Sequence, residues 1–221
     1  METGAKLVRG ELLLARLKEV RDDNAALELL DLFQSGFPLA RLRELLSESR
    51  ENAIRAGIWI ASELGAQIHP LLPEIARLLK HADRYVRFFA VDCVLAAANE
   101  NDGVVLGHTA ELLYDQDSAV RWKAMNFLAA ASGAVLVEAI RQVTNVPLRE
   151  QLEWLEHAEL LGPASIHAKL ASSDAADAVV GAIAAARIAD EDSTALRAAT
   201  QLPLGEARDF ARERLARIRQ E

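Results

Sequence analysis

The chain has 221 residues, of which 51% are hydrophobic and only 5% aromatic, and its formal net charge at pH 7 is −8. This length and apolar content suffice to bury a sizeable core. The chain has only 6 prolines and 11 glycines, and no run alternates β-branched with polar residues, which argues against a sheet of any size. Composition therefore predicts an all-α protein.

The first residues carry no basic segment followed by an apolar stretch, and no window reaches the roughly 18 uncharged apolar residues of a membrane span. We therefore expect a cytoplasmic protein without a membrane partner. The one cysteine, Cys93, lies between Val91 and Val94. It is predicted to be a small core residue, because a lone cysteine forms no internal disulfide.

In the N-terminal region, 1–50, the pattern predicts helices over 5–20, over 23–34 and up to about 47. Asp22 and Asp23 are placed to cap the second of these. A helix over 51–64 should end at Gly65, and the segment Pro70–Pro73 should open the next helix, which runs to about 81.

One short motif, a β-branched residue followed by arginine, occurs three times at the start of an Ala-rich amphipathic stretch. Its copies are Asn52-Ala53-Ile54-Arg55-Ala56, Tyr85-Val86-Arg87-Phe88-Phe89-Ala90 and Ala119-Val120-Arg121-Trp122-Lys123-Ala124. The arginines are 32 and 34 residues apart, which is the period of a stacked helix pair. Asp83 and Asp117 stand four residues before the second and third arginines and should cap the helices over 84–98 and 118–131.

After Gly133 the repeat loosens, although break signals still separate helical segments. These signals are Gly162-Pro163, Ser172-Ser173-Asp174, Asp190-Glu191-Asp192-Ser193 and Pro203. The pairs predicted in this region are 134–143 with 148–161, 164–171 with 175–188, and 192–200 with 204–219. Together with the helices before Gly133, the whole chain is predicted to contain about seven pairs. Because no linker-like stretch interrupts the pattern, we expect a single domain over 1–221, with its clearest repeats over 51–131 and capping helices over 190–221.

The period, the Val-Arg dipeptide and the aspartate before it resemble HEAT repeats, the two-helix units of armadillo-like solenoids. The resemblance covers about 51–131 and implies a right-handed superhelix of antiparallel helix pairs whose second helices line a concave, ligand-facing side. The phrase Ile60-Ala61-Ser62-Glu63-Leu64-Gly65, together with the later copies of the motif, also resembles small bacterial HEAT-type immunity proteins, which neutralise toxins.

Arg55, Arg87 and Arg121 have two interpretations. They could form a ladder that binds phosphate or carboxylate groups, or they could pair with aspartates such as Asp83 and Asp117 and fix the stacking of the helices. We favour the structural interpretation.

Aromatic residues follow two of these arginines, and polar residues stand one turn further along the same helix face. The resulting candidate partner-binding residues are Phe88 with Asp92, Trp122 with Asn126, and Trp154 with Glu153 and His157. The aromatic rings could anchor a partner or pack against the adjacent helix pair. Trp59 aligns with Val91 and Met125, which predicts a core position.

Acidic residues are unevenly spread. Six acids and no Lys or Arg lie between Arg87 and Arg121, namely Asp92, Glu100, Asp102, Glu111, Asp115 and Asp117. Glu150, Glu153, Glu156 and Glu159 likewise follow one another without a Lys or Arg between them. This sign of charge favours a basic protein partner and disfavours nucleic acid.

Chemistry-bearing motifs are weak. His108 and Glu111 share a helix face, but the other histidines are scattered, and a zinc site needs three or four converging ligands. No phosphate-binding loop or nucleophile motif occurs. We therefore predict no catalytic residue, no metal and no cofactor.

These observations predict a non-catalytic protein-binding solenoid, in its specific form an immunity protein that covers a basic bacterial toxin domain. A scaffold or adaptor for complex assembly is the first alternative. A HEAT-like enzyme, such as a chromophore lyase or a DNA glycosylase, is the second. Self-association through the aromatic residues is a further possibility.

Overall fold

The computed structural model describes residues 2–189, 193–203, 205–218 and 220, and these residues form helices and turns without a strand. The predicted all-α character is thus confirmed for this part of the chain. The break signal at Asp190–Asp192 and the predicted helix end at Arg219 lie outside the described residues.

The chain divides into two compact units, unit 1 (Met1–Val105) and unit 2 (Leu106–Glu221). The described α-helices are, in chain order, α1 (Glu2–Glu19), α2 (Asp23–Gln34), α3 (Arg43–Leu46), α4 (Glu51–Glu63), α5 (Leu72–Leu78), α6 (Arg84–Ala97), α7 (Gly103–Glu111), α8 (Ser118–Ala130), α9 (Gly133–Gln142), α10 (Val146–Leu170), α11 (Ala175–Arg187), α12 (Thr194–Ala199) and α13 (Glu206–Ile218). Short 3₁₀ helices precede α3 and α5 and follow α7, at Leu39–Leu42, Gly65–Leu71 and Leu112–Tyr114.

Aspartate side chains cap α2 and two of the three helices that carry the repeated motif, α6 and α8. The helix with the first copy, α4, begins after Arg50 without a side-chain cap. Asp22 accepts a hydrogen bond from the Ala25 backbone N–H at 2.9 Å and so caps α2. Asp83 accepts from the Tyr85 N–H at 2.9 Å, and Asp117 from the Ala119 N–H at 3.0 Å. Each bond satisfies one of the free N–H groups of a helix start. The capping roles predicted for Asp22, Asp83 and Asp117 are confirmed.

Two glycines end helical segments with a backbone that other residues adopt only under strain. Gly65 has φ 59° and lies two residues after the end of α4, near the predicted helix end, where it begins a 3₁₀ helix. Gly162 has φ 74° and ψ 176° inside α10, so this helix is two segments joined at a kink. Positive φ costs a glycine little because it has no Cβ.

In unit 1, α4 is central and packs against α1, α2, α3 and α6. Its Ile58, together with Leu29 of α2 and Val86 of α6, is fully buried. The contact with α3 is very close, since a Cβ added at Gly57 would lie 2.7 Å from the Leu45 Cβ. Cys93 is buried as predicted, and burial raises the pKa of its thiol, which keeps it unreactive.

In unit 2, α11 is central and packs against α8, α10, α12 and α13. The last helix, α13, also contacts α8, and its Phe210 is fully buried. In a simple helical stack each repeat contacts only its neighbours in sequence. The contact between α8 and α13 therefore joins parts of the chain that repeat stacking alone would not bring together.

None of the helices within the described residues combines the length and the apolar character that a membrane crossing requires.

Candidate protein-binding groove

Unit 1 contains a groove of about 680 Å³, which we call the unit 1 groove. The end of α1, the start of α2, one face of α4 and the first turn of α6 line it. Its volume lies within the range of roughly 300–1,000 Å³ that is usual for ligand-binding clefts.

Apolar and aromatic side chains line the interior of the unit 1 groove. Leu27 of α2 is 51% exposed, Tyr85 of α6 is 37% exposed, and Trp59 of α4 is half-buried. The core position predicted for Trp59 is thus wrong. The equivalent residue in the third repeat, Met125, is buried in unit 2, where α11 and α13 cover α8.

Tyr85 is the first member of an aromatic cluster on α6. Its ring lies 4.6 Å from that of Phe89, and the Phe89 ring lies 5.3 Å from that of Phe88 in an edge-to-face arrangement. Such contacts hold aromatic side chains in defined positions. Of the three rings, Tyr85 lines the groove, and the half-buried Phe89 and Phe88 pack behind one another on α6.

Arg55 is held in place on the wall of the groove. Its Nε donates to Asp83 Oδ2 at 2.5 Å, its Nη2 lies 2.7 Å from Glu51 Oε1, and its guanidinium stacks over the Tyr85 ring at 5.4 Å. The hydrogen bond to Asp83 raises the pKa of Arg55. Burial alone would raise the pKa of Asp83, but hydrogen bonds from Arg55 and the Tyr85 N–H outweigh it and lower the pKa.

Two carboxylates on the groove are mostly exposed. The Asp23 side chain is 77% exposed and that of Glu51 is 65% exposed. Asp23 lies 3.2 Å from Arg21, whose side chain is equally exposed, and such a surface pair holds its members weakly. The Asp22 carboxylate, by contrast, accepts the capping hydrogen bond of α2 and forms an ion pair with Arg16.

The corresponding arginine of unit 2, Arg121, lies in a different environment. Its Nε donates to both carboxylate oxygens of Glu206 at 3.0 Å, and its Nη1 donates to the Asp115 carbonyl at 2.6 Å. The neighbouring Trp122 packs edge-to-face on Phe210 at 5.5 Å. Arg121, Met125 and Glu206 line a smaller pocket of about 310 Å³.

The structure places the remaining predicted repeat and partner residues on three helices. Arg87 of α6 is buried and donates to the carbonyls of His81 and Ala82 at 2.7 and 2.8 Å. Asp92, one turn beyond Phe88, is half-buried. On α8, the half-buried Asn126 donates to the Trp122 carbonyl at 2.9 Å.

The third predicted group lies on α10 of unit 2. The Lys169 ammonium lies over the Trp154 ring, 5.1 Å from the ring centre, and forms an ion pair with Asp177 at 2.5 Å. Glu153 and His157 are exposed, and His157 Nδ1 lies 2.8 Å from the Glu153 carbonyl oxygen. The three predicted residues thus share one helix turn, where part of the aromatic surface is already covered.

Much of the acidic stretch between Arg87 and Arg121 has local partners. Asp102 accepts from the Asn99 N–H, Glu111 from the Thr144 N–H and hydroxyl, and Asp115 from the Asp117 N–H. Asp117 caps α8. Most of these acids therefore stabilise turns and helix starts. The side chain of Glu159, in the second acidic stretch, lies outside the described part of the structure.

In the part of the chain that the structure describes, no three His, Cys, Asp or Glu side chains are grouped closely enough to share a metal ion. No protein-family model matches the sequence, and no curated protein matches it significantly. Leu27 and Tyr85 were not predicted from the sequence as groove residues. For Tyr85, the sequence did offer a signal: Phe89 follows four residues later, and residues at this spacing lie on the same face of a helix.

Proposed function

We propose that the chain is a non-catalytic, HEAT-like protein-binding module and that its unit 1 groove holds a segment of a partner protein. The observation that carries this proposal is the exposure of Leu27 and Tyr85 beside Trp59 in one groove. Rigid aromatic side chains give a large contact area at a low entropy cost, and they dominate binding at protein interfaces. Phe88 and Asp92 on α6, which the sequence marks as partner-binding residues, are proposed as additional contacts beside the Tyr85–Phe89–Phe88 cluster.

The charged groups of the groove suit recognition better than acid–base catalysis. A general acid or base works best with a pKa near the operating pH. The pKa of Arg55 is raised and that of Asp83 is lowered, so both groups keep their charges at neutral pH. Their ion pair gives the groove a fixed wall.

The specific form of the proposal is an immunity protein that covers a basic toxin domain. Its support is the excess of 33 acids over 25 Lys and Arg, the exposed carboxylates of Asp23 and Glu51, and the resemblance of 51–131 to HEAT repeats. Opposite charge speeds the capture of a partner and weakens with salt. A scaffold would use the same groove, and loss of toxin activity in the complex distinguishes the two functions.

The test begins with recovery of the tagged protein from its native host at low and at moderate salt. Mass spectrometry then identifies a protein that co-purifies in near-equal amount. We expect Tyr85→Ala and Leu27→Ala to lower its recovery about tenfold, because each removes an anchor worth more than about 1 kcal/mol. Tyr114→Ala is the matched control, since Tyr114 is a 44% exposed tyrosine of unit 2. Equal recovery with the groove variants and the control would refute the site.

The predicted residues of unit 2 are a separate proposal. Trp122 and Asn126 on α8, and Glu153, Trp154 and His157 on α10, would form a partner-binding surface of unit 2. Trp122→Ala and Trp154→Ala test it in the same recovery experiment. A loss with these variants and none with Tyr85→Ala would move the binding surface from unit 1 to unit 2.

A further inference from the structure

We propose that the occupant of the unit 1 groove is an amphipathic helix of the partner, with a large apolar residue and a Lys or Arg about one turn from it. This inference rests on the proposed protein-binding function and names the chemistry of the partner. It follows from a comparison of the groove with the equivalent surface in unit 2, which the chain covers itself.

The last helix shows how the equivalent surface is covered. Phe210 packs on Trp122, and Glu206, one turn earlier in α13, binds Arg121. Two side chains four residues apart therefore engage two adjacent residues of α8. This is the helix-in-groove mode, in which anchors one turn apart carry the contact.

The unit 1 groove lies at the same positions of the repeat. Arg55 and Trp59 line it, as Arg121 and Met125 line the smaller pocket of unit 2. Its volume of about 680 Å³ compares with about 310 Å³ beside α13. The difference leaves room for a helix turn that brings an apolar side chain against Trp59, Leu27 and Tyr85.

The charge on the incoming helix must differ from that of α13. Arg121 takes its carboxylate from the covering helix, whereas Arg55 already has Asp83 and Glu51. An acid in the position of Glu206 would add a further negative charge beside Asp23 and Glu51. Like charges at short distance repel. A Lys or Arg there would instead compete with Arg21 and Arg55 for the exposed carboxylates of Asp23 and Glu51, because surface ion pairs hold their members weakly.

The contact of α13 with α8 itself is small. Of α13, the described buried residues are Ala207, Phe210 and Ala211. On α8 the contact is made by the Phe210 ring and the Glu206 carboxylate, while α11 and α12 provide most of the packing of α13. A partner helix of three to four turns would be long enough.

The test uses two synthetic peptides with the sequence of α13, stapled so that they stay helical, one of them with the change Glu206→Lys. Fluorescence anisotropy measures their binding to the full chain. We expect the Glu206→Lys peptide to bind about tenfold more tightly than the unchanged peptide, which corresponds to about 1.4 kcal/mol. This preference should fall as salt is raised.

Protein variants assign the preference to the groove. In Asp23→Asn/Glu51→Gln we expect the two peptides to bind equally, and in Glu63→Gln, which removes an exposed acid outside the groove lining, the preference should persist. Tyr85→Ala should weaken both peptides. Equal binding to the unaltered protein, no binding of the Glu206→Lys peptide, or a preference unchanged in the double variant would overturn the inference. The proposed function is tested separately: if Tyr85→Ala lowers recovery of the native partner, the groove still binds a protein even when the peptides contradict the inference about its charge.

Discussion

Arg55 in unit 1 and Arg121 in unit 2 occupy the same position of the repeated motif and find their partners in different ways. Arg55 pairs with Asp83, 28 residues further along the chain, while Arg121 pairs with Glu206, 85 residues further. The residue 28 positions after Arg121 is Arg149, a base. Arg121 thus has no acid at the spacing that joins Arg55 to Asp83, and its carboxylate partner comes from α13 instead.

This difference decides what each surface is free to do. In unit 2, α13 brings Phe210 with Glu206, and Trp122 packs on that ring. In unit 1, the acid that binds Arg55 is Asp83, the capping residue of α6, and no later helix supplies it. Trp59 and Tyr85 therefore remain at the groove. The same short motif thus borders a smaller pocket beside a covering helix in unit 2 and a larger groove in unit 1.

The largest expected effect comes from removing the ring that closes unit 2. Phe210→Ala should lower the free energy of unfolding of unit 2 by about 3–5 kcal/mol, because it leaves a cavity at a fully buried position. Urea denaturation followed by circular dichroism measures it, and hydrogen exchange should show the loss of protection in α8 and α13. Phe89→Ala, at a half-buried ring of unit 1, is the control. A loss no larger than that of the control would contradict the role of Phe210.

The close helix contacts offer a second comparison between the units. Gly57→Ala should destabilise by about 1–3 kcal/mol, because the new Cβ would meet Leu45 Cβ at 2.7 Å. At Gly181 of α11 the nearest atom to a new Cβ is 3.1 Å away, so Gly181→Ala should cost less. Thermal unfolding of both variants checks the order, and a reversed order would show that α3 yields more readily than the α10–α11 contact.

The two arginine pairs are compared by neutralising their acids. Asp83→Asn keeps a capping side chain on α6 but removes the charge that binds Arg55, and we expect a loss of roughly 1 kcal/mol. Glu206→Gln should cost a similar or smaller amount, because its side chain is more exposed than that of Asp83. In addition, Glu206→Gln should raise the hydrogen exchange of α13, and Asp83→Asn should not. If the hydrogen exchange of α13 were equal in both variants, Glu206 would not contribute to the docking of α13.

The smallest effect is a dependence on pH. The folded-state pKa of Asp83 lies below its ordinary value of 3.8, so this carboxylate contributes stability above that pH and loses it as the pH falls through the lower folded pKa. The stability difference between the unaltered protein and Asp83→Asn should therefore shrink at acid pH. Denaturation at several pH values between neutral and about 3 measures this difference. A difference that is constant with pH would show that the charge of Asp83 contributes nothing.

Local features of the fold were predictable from the sequence. The caps at Asp22, Asp83 and Asp117, the helix end at Gly65 and the break at Gly162 depend on residues within one turn of each other. Propensity and capping rules describe such short-range effects well.

Features that depend on distant residues were not predictable. The groove combines Leu27, Trp59 and Tyr85, which come from three helices, and no local pattern marks the three as neighbours. Likewise, the role of Glu206 depends on a contact across 85 residues. Whether an aromatic residue beside the motif is covered is decided by which helix arrives later in the chain.

The docking of α13 also has a consequence for contacts between identical chains. A helical stack whose last apolar face stays open offers that face to the first complementary surface of another copy, and head-to-tail contacts that do not close grow into filaments. Phe210 and Glu206 instead occupy this part of α8 from within the same chain. A second copy that docked on Arg121 and Trp122 would first have to displace α13.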